Sequence, residues 1–164
     1  MGVYLHVISR AADQFVGEEG QGAGTIRQLL LALVLFGIIG LALELFLLEH
    51  FESVWQWIPL VVLGTGFANG IAVAVRPTHR TIRIFQGVMV LVIGTGVLGL
   101  YLHYDGNVEF EREMDASAQG LALFWRSMRG ATPALAPGAM AQIGLLGLIL
   151  AYRHPALRRE TSTA

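Results

Sequence analysis

Long apolar stretches alternate with short polar segments along most of this chain. Four of them, at residues 28–49, 54–75, 84–104 and 135–152, come close to the ~20 residues that a transmembrane helix needs. At ~1.5 Å per residue, such helices cross the ~30 Å hydrocarbon layer of a bilayer, or nearly so. The pattern predicts an all-α polytopic membrane protein whose four transmembrane helices form a four-helix bundle within a single domain, residues 1–164.

Residues 1–24 are predicted to lie outside these spans as an interfacial segment. Arg10, Asp13 and Glu18 lie away from its apolar residues, which is typical of a short helix in the membrane interface. Residues 17–24 are rich in glycine and predict a flexible connector. The apolar residues that recur at three- and four-residue steps are Tyr4, Val7, Ile8, Ala11 and Phe15.

The segment 105–132 is the one sizeable loop between predicted spans. In its first half Glu109, Glu111 and Glu113 alternate with other residues, which predicts a short extended stretch. Such a stretch offers an oxygen-rich cation site, although a solvated acidic loop is the more ordinary interpretation. The second half predicts an amphipathic helix resting on the membrane or on a partner subunit. The residues on its apolar face are Leu121, Phe124, Trp125 and Met128.

Composition supports the membrane class and limits the chemistry. Of 164 residues, 54% are hydrophobic and 14% are charged, whereas about a quarter are charged in soluble domains. Four spans leave no room for a separate catalytic module, so we expect no enzyme activity. The net charge of −1 gives no basic patch for nucleic acid, and the absence of cysteine removes thiolate metal sites. No metal site is predicted.

The distribution of arginine predicts the orientation, because cytoplasmic loops of membrane proteins carry an excess of positive charge. Three arginines, Arg112, Arg126 and Arg129, fall on the side that also carries Trp55 and the other interfacial aromatic residues. We therefore expect both termini in the cytoplasm, in a bacterial inner membrane. The eight arginines on the predicted cytoplasmic side are Arg10, Arg27, Arg76, Arg80, Arg83, Arg153, Arg158 and Arg159.

Glycines repeat at the middle of the second and third spans. Small residues allow membrane helices to approach closely, so these two glycine motifs are expected to meet at the same depth. The alternative is a substrate or ion site lined by exposed backbone. The residues concerned are Gly64, Thr65, Gly66 and Gly70 in the second span and Gly94, Thr95 and Gly96 in the third.

Glu44 is the ionisable residue that falls inside a predicted span. A charge at the centre of a membrane helix costs on the order of 3 kcal/mol, so a compensating group is expected. Tyr101 and Gln142 lie at nearby depths and are the expected partners, while Asn69 is expected to form an interhelical hydrogen bond. Glu44 is either a protonated hydrogen-bonding tie, a proton or cation relay, or a side chain that reaches the interface.

His50 and His103 end the first and third spans on the same side. Two imidazoles on neighbouring helix ends are able to ligate a haem, a chlorophyll-type magnesium or a transition metal. One histidine per helix is also what an ordinary interface contains, and hydrogen bonding there is the simpler interpretation. No cofactor is therefore predicted, and a haem-type group is kept as an alternative.

Three functions fit this sequence. The first is a small non-catalytic accessory subunit that packs with larger membrane proteins or with itself, since the chain is short, rich in glycine and amphipathic at two interfacial segments. The second is an oligomeric transporter or channel that uses Glu44 as a proton or cation relay. The third is an electron-transfer protein whose cofactor is held by His50 and His103.

Overall fold

The computed structural model describes residues 2–130, 132 and 135–158, with side chains described from residue 22 onward. This part of the chain contains no β-strand, so the all-α expectation is confirmed. The elements are α1 (Gly2–Leu47), α2 (Val54–Val75), α3 (His79–Met114), α4 (Gly120–Met128), α5 (Gly138–Ala151) and a 3-10 turn at Pro155–Leu157.

Three segments are long and apolar enough to cross a membrane: Gly22–Leu47 of α1, all of α2, and α3. Most residues in their apolar windows are not buried by the rest of the chain, with buried shares of only 11%, 22% and 28%. Helices that remain apolar on their outer surface suit a lipid surrounding rather than water. Helix α5 is also apolar, but its 14 residues rise only ~21 Å.

Neighbouring helices run antiparallel. On α1, Leu35 lies against Gly70 of α2, and Ile38, one turn further along α1, lies against Gly66, one turn earlier in α2. The connection between α2 and α3 is only three residues long, which also places these two helices side by side in opposite directions. Helices α1, α2 and α3 therefore pass through the same layer in alternating directions.

The closest contact between helices is that of α3 with α5. A methyl group added at Gly96 would lie 2.7 Å from the backbone nitrogen of Ala141 and 2.9 Å from the carbonyl oxygen of Pro137. One added at Gly144 would lie 2.7 Å from the carbonyl oxygen of Met89. Because these neighbours are backbone atoms, they cannot move aside as a flexible side chain can. The two helices therefore touch through their backbones, antiparallel to one another.

The core lies where these four helices meet. Helix α5 contacts α1 as well as α3, since Ile143 fills the space over Gly37. Apolar side chains fill the interior along the length of α5, at the packing density that makes cores sensitive to volume changes. The buried core residues are Val34, Ile38, Leu63, Val73, Ile82, Phe85, Val88, Met89, Val92, Met140, Ile143, Leu150 and Ala151.

Local hydrogen bonds explain where α2 and α3 begin. The side-chain oxygen of Gln56 accepts hydrogen bonds from the backbone N–H groups of Glu52 and Ser53, at 2.7 and 2.9 Å. At the start of α3, Thr78 and Thr81 exchange hydrogen bonds between side-chain oxygens and backbone N–H groups. Both arrangements satisfy N–H groups that a helix start leaves without partners.

Two predicted segments outside the spans differ from the structure. The backbone of α1 is helical from Gly2 to Leu47, so the connector expected at residues 17–24 is wrong. The interfacial face predicted from Tyr4 to Phe15 lies outside the described side chains and stays a prediction. The extended acidic stretch is also wrong, because α3 continues to Met114. Extending an existing helix costs little, and Glu and Arg are good helix formers.

The boundaries of the other segments agree more closely with the sequence pattern. Helix α2 has the predicted range, and the amphipathic helix expected in the loop is α4. The described helix α5 is shorter at both ends than the predicted span at residues 135–152. Two glycines of the predicted contact between the second and third spans lie elsewhere. A methyl group added at Gly64 or Gly94 would meet nothing within 4 Å, so these two glycines do not bring the helices together.

We predict opposite effects for two alanine substitutions at glycines. Gly144→Ala should lower the free energy of unfolding by ~1–3 kcal/mol, because the added methyl group collides with the backbone of α3. Gly64→Ala should leave stability unchanged or raise it by up to ~1 kcal/mol, because the space is open and alanine favours the helix. Thermal unfolding in detergent measures both. Equal melting temperatures for the two variants would contradict the α3–α5 contact.

Candidate functional site

The short length of α5 leaves a space at one end of the packed helices. We call this the histidine end, because it carries His50 and His103; the opposite end, near Arg27, is the Arg27 end. Pro137, just before α5, lies at the level of Gly96 and Gly99 of α3. Helix α3 continues past that level to Met114. No part of α5 therefore fills the space between α1, α2 and α3 beyond Pro137.

A cavity of about 300 Å³ occupies this space. Its walls are largely apolar, and Ala136, Pro137 and Met140 contribute the side nearest α5. The volume of the cavity and its largely apolar lining match small-molecule sites, which are mostly apolar clefts of ~300–1,000 Å³ with a few polar groups. The polar and indole side chains that line it are Glu44, His50, Trp55, Gln56, Thr95 and His103.

Glu44 lines this cavity from the last turn of α1. The predicted partners are not beside it: Tyr101 and Gln142 are both exposed and neither lines the cavity. Within the described part of the chain, no hydrogen bond or ion pair to the Glu44 carboxylate is present. The interhelical tie expected from the sequence therefore does not form, and the carboxylate remains available at the cavity wall.

The two histidines do come together at the same cavity. The ring centroids of His50 and His103 are 6.3 Å apart, with the rings tilted by 49°. Partial burial lowers the pKa of His50 below its ordinary value, and the nearby His103 lowers it further because two imidazolium charges repel. Among the described residues, no group of three or more His, Cys, Asp or Glu side chains is placed to hold a metal ion.

The polar residues of α2 bond within their own helix. Thr65 donates a hydrogen bond from its hydroxyl to the carbonyl oxygen of Val61 at 2.8 Å, and the amide of Asn69 donates to the carbonyl oxygen of Thr65 at 2.9 Å. Asn69 is therefore not the interhelical partner that the sequence suggested. Thr95 of α3 lies far enough along its helix to line the cavity instead.

Asn107 is a structural residue that the sequence analysis did not single out. It lies in the last third of α3 and is 2% exposed. Its amide nitrogen donates to the carbonyl oxygens of Ser127 and Thr132, at 2.9 and 2.7 Å, and its amide oxygen accepts from the Thr132 N–H. Gly130 packs directly on this amide. One buried side chain thus holds α4 and the following turn against α3.

A second contact fixes the connection between α3 and α4. Arg126 of α4 donates to the carboxylate of Asp115 at 3.0 Å, and Ser117 donates to the same carboxylate from its N–H and its hydroxyl. The Ser117 hydrogen bonds and then Arg126 lower the pKa of Asp115 below its ordinary value. Since Asp115 is at the surface, this cluster orients the turn more than it stabilises the fold.

The Arg27 end has a different chemistry. The Arg27 guanidinium donates to the carbonyl oxygens of Tyr152 and Arg153, at 3.4 and 3.5 Å, where α5 ends. A second cavity lies beside it and is lined in part by Arg27 and His154. The ring nitrogen Nδ1 of His154 accepts a hydrogen bond from the Ala156 N–H. Burial, and then the charge of Arg27, lower the pKa of His154 below 6.5.

No protein-family model, no curated protein and no solved structure matches this chain.

Replacing His154 should reduce the acid sensitivity of the protein. The folded state favours neutral His154, since its pKa is lowered from 6.5, so its contribution to stability is complete above pH 6.5 and is lost as the pH falls below that value. His154→Asn keeps a hydrogen-bond acceptor for the Ala156 N–H but cannot titrate. The drop in melting temperature from pH 8 to pH 5 should be smaller in this variant than in the parent. An unchanged drop would contradict the assignment.

Proposed function

We propose that this chain is a non-catalytic membrane subunit that spans the bilayer four times and packs beside another membrane protein through α4. The observation that carries the proposal is the surface of α4. Leu121, Phe124 and Trp125 are exposed on it, although Leu123 and Ser127 on the opposite side are buried. An exposed apolar patch on a helix that is held in place is typical of an interaction site.

The rigidity of α4 supports a docking role. Asn107 and the Asp115–Arg126 pair hold the helix from two sides. The rings of Tyr104 and Phe124 lie 5.9 Å apart, and those of Phe124 and Trp125 lie 5.4 Å apart. Aromatic side chains fixed in advance lose little conformational entropy when a partner binds. The α4 surface is therefore both apolar and held in position before any partner binds.

The apolar core favours a packing role over conduction within one copy. Between the cavity at the histidine end and the cavity at the Arg27 end lie buried apolar residues such as Leu63, Met89 and Val92. A conduction path for ions or protons requires polar or water-filled surroundings. The transporter alternative therefore depends on an assembly of several copies.

A fourth span formed by α5 is part of the proposal. The 14 residues of α5 are fewer than a bilayer normally requires. However, α5 runs antiparallel to α3 between the levels of Gly99 and Phe85, and Tyr152 beyond its last residue reaches Arg27 of α1. The turns at its two ends and local thinning of the bilayer supply the remaining length. The arginine distribution supports an orientation with the histidine end outside the cytoplasm.

Single cysteines test this topology, since the parent chain has none. We expect a membrane-impermeant thiol reagent to label Ser117→Cys on intact cells, whereas Thr78→Cys and Ser162→Cys should require lysis. The reason is that α3 separates Thr78 from Ser117, and α5 must return the chain to the first side. Labelling of Ser117 and Ser162 from the same side would remove the fourth span. Labelling of all three variants after lysis serves as the control.

A photoreactive benzoylphenylalanine at Trp125 tests the docking role. Irradiation of native membranes should give one protein adduct of discrete mass, which peptide mass spectrometry then identifies as another membrane protein. The same residue at Val90, which is 56% exposed in the first third of α3, is the matched control and should react mainly with lipid. Adding Asn107→Ala should lower the yield at Trp125, because α4 loses the hydrogen bonds that hold it.

Two results of this experiment would overturn the subunit proposal. One is a Trp125 variant that reacts with lipid as the Val90 control does, since α4 then lies only on the membrane surface. The other is an adduct formed solely with a second copy of this chain, which would favour the oligomeric transporter. Adding purified partner to a reconstituted sample should restore the discrete adduct if the proposal is correct.

A further inference from the structure

The cavity at the histidine end contains a carboxylate, an indole and apolar walls, and the proposed subunit role uses none of them. We propose that it binds a small lipophilic ammonium ion, with the cationic head beside Glu44 and the apolar body between α1, α2 and α3.

The charge of the cavity favours a cation. Glu44 is the lining residue that becomes negative on ionisation, and its carboxylate has no hydrogen bond or ion pair within the described part of the chain. His50, which also lines the cavity, favours its neutral form because burial and His103 lower its pKa. A carboxylate facing a membrane-level cavity needs a compensating positive charge, and a bound ammonium supplies one.

The apolar walls strengthen the attraction. A carboxylate attracts a cation more strongly beside these walls than it would in water, since apolar surroundings have a low effective dielectric constant.

The other lining residues indicate the shape of the ligand. Trp55 contributes an indole, a ring that attracts ammonium groups, and the apolar walls are leucine, isoleucine, methionine, alanine and proline side chains. A bare metal ion would leave these walls unused, and the described residues give it no group of three ligands. A neutral apolar molecule would leave Glu44 without a counter-charge. A cation with an apolar body satisfies both parts of the site.

The proposal is tested with benzyltrimethylammonium, a quaternary ammonium that keeps its charge at every pH. Isothermal titration of the purified full chain in detergent, corrected with protein-free micelles, should show saturable binding. Glu44→Gln should weaken binding by about tenfold or more, because it removes the charge from a low-dielectric site. Glu44→Asp should retain binding within a few-fold, and Glu52→Gln, at the same end but outside the cavity, is the matched control and should bind as the parent does.

The neutral carbon analogue neopentylbenzene separates charge from apolar burial. It should bind the parent more weakly than the ammonium does, and equally weakly in Glu44→Gln. Unchanged melting temperatures of the variants should confirm that the fold is intact, since Glu44 makes no hydrogen bond within the described residues. Absence of saturable ammonium binding, or equal ammonium affinity in parent and Glu44→Gln, would overturn the proposal. Neither result bears on the adduct at Trp125.

Discussion

Direct backbone contact between α3 and α5 is the constraint on which the rest of the structure depends. In a membrane, lipid tails are as apolar as leucine, so helices associate through close packing rather than through exclusion of water. Glycine at positions 96 and 144 removes the side chains that would separate the two helices, and Gly147 lets the Met89 side chain lie on α5. Helix α5 thereby closes the bundle between α1 and α3. The core of α1 and α3 is buried by α2 as well, since Ile38, Met89 and Val92 lie against Gly66.

The difference in length between these two helices then determines where the cavity forms. Helix α3 has 36 residues and α5 has 14, and their contact begins at Gly99 and Pro137. Beyond that level α5 no longer fills the space between α1, α2 and α3. A polar side chain at this level does not have to enter the packed core, which explains why Glu44 is tolerated in an apolar span. The cavity therefore results from the short length of α5, and Glu44 lies in its wall.

The sequence predicted the ranges of the helices better than it predicted which of their residues face the core. The range of α2 was correct because Ser53 and Pro77 flank a run that is largely apolar. Membrane helices are apolar on all sides, however, so periodicity does not reveal which residues face the core. For this reason Gly64 and Gly94 looked equivalent to Gly66 and Gly96, although of these four only Gly66 and Gly96 lie at a helix contact. Asn107 was missed because its two partners are backbone carbonyl groups about twenty residues away, which leave no pattern in the sequence.

The two ends of α5 also explain the distribution of charge in the molecule. Arg27 donates to the carbonyl groups at the C-terminal end of α5, and Glu44 lines the cavity at its N-terminal end. A helix dipole favours a cation at the first of these positions and an anion at the second. Both charged residues belong to α1, seventeen positions apart, so one helix supplies a charge to each end of its neighbour. The two roles nevertheless differ in kind. Arg27 has hydrogen-bond partners within the chain, whereas the Glu44 carboxylate has none among the described residues and faces the cavity, where we place the proposed cation.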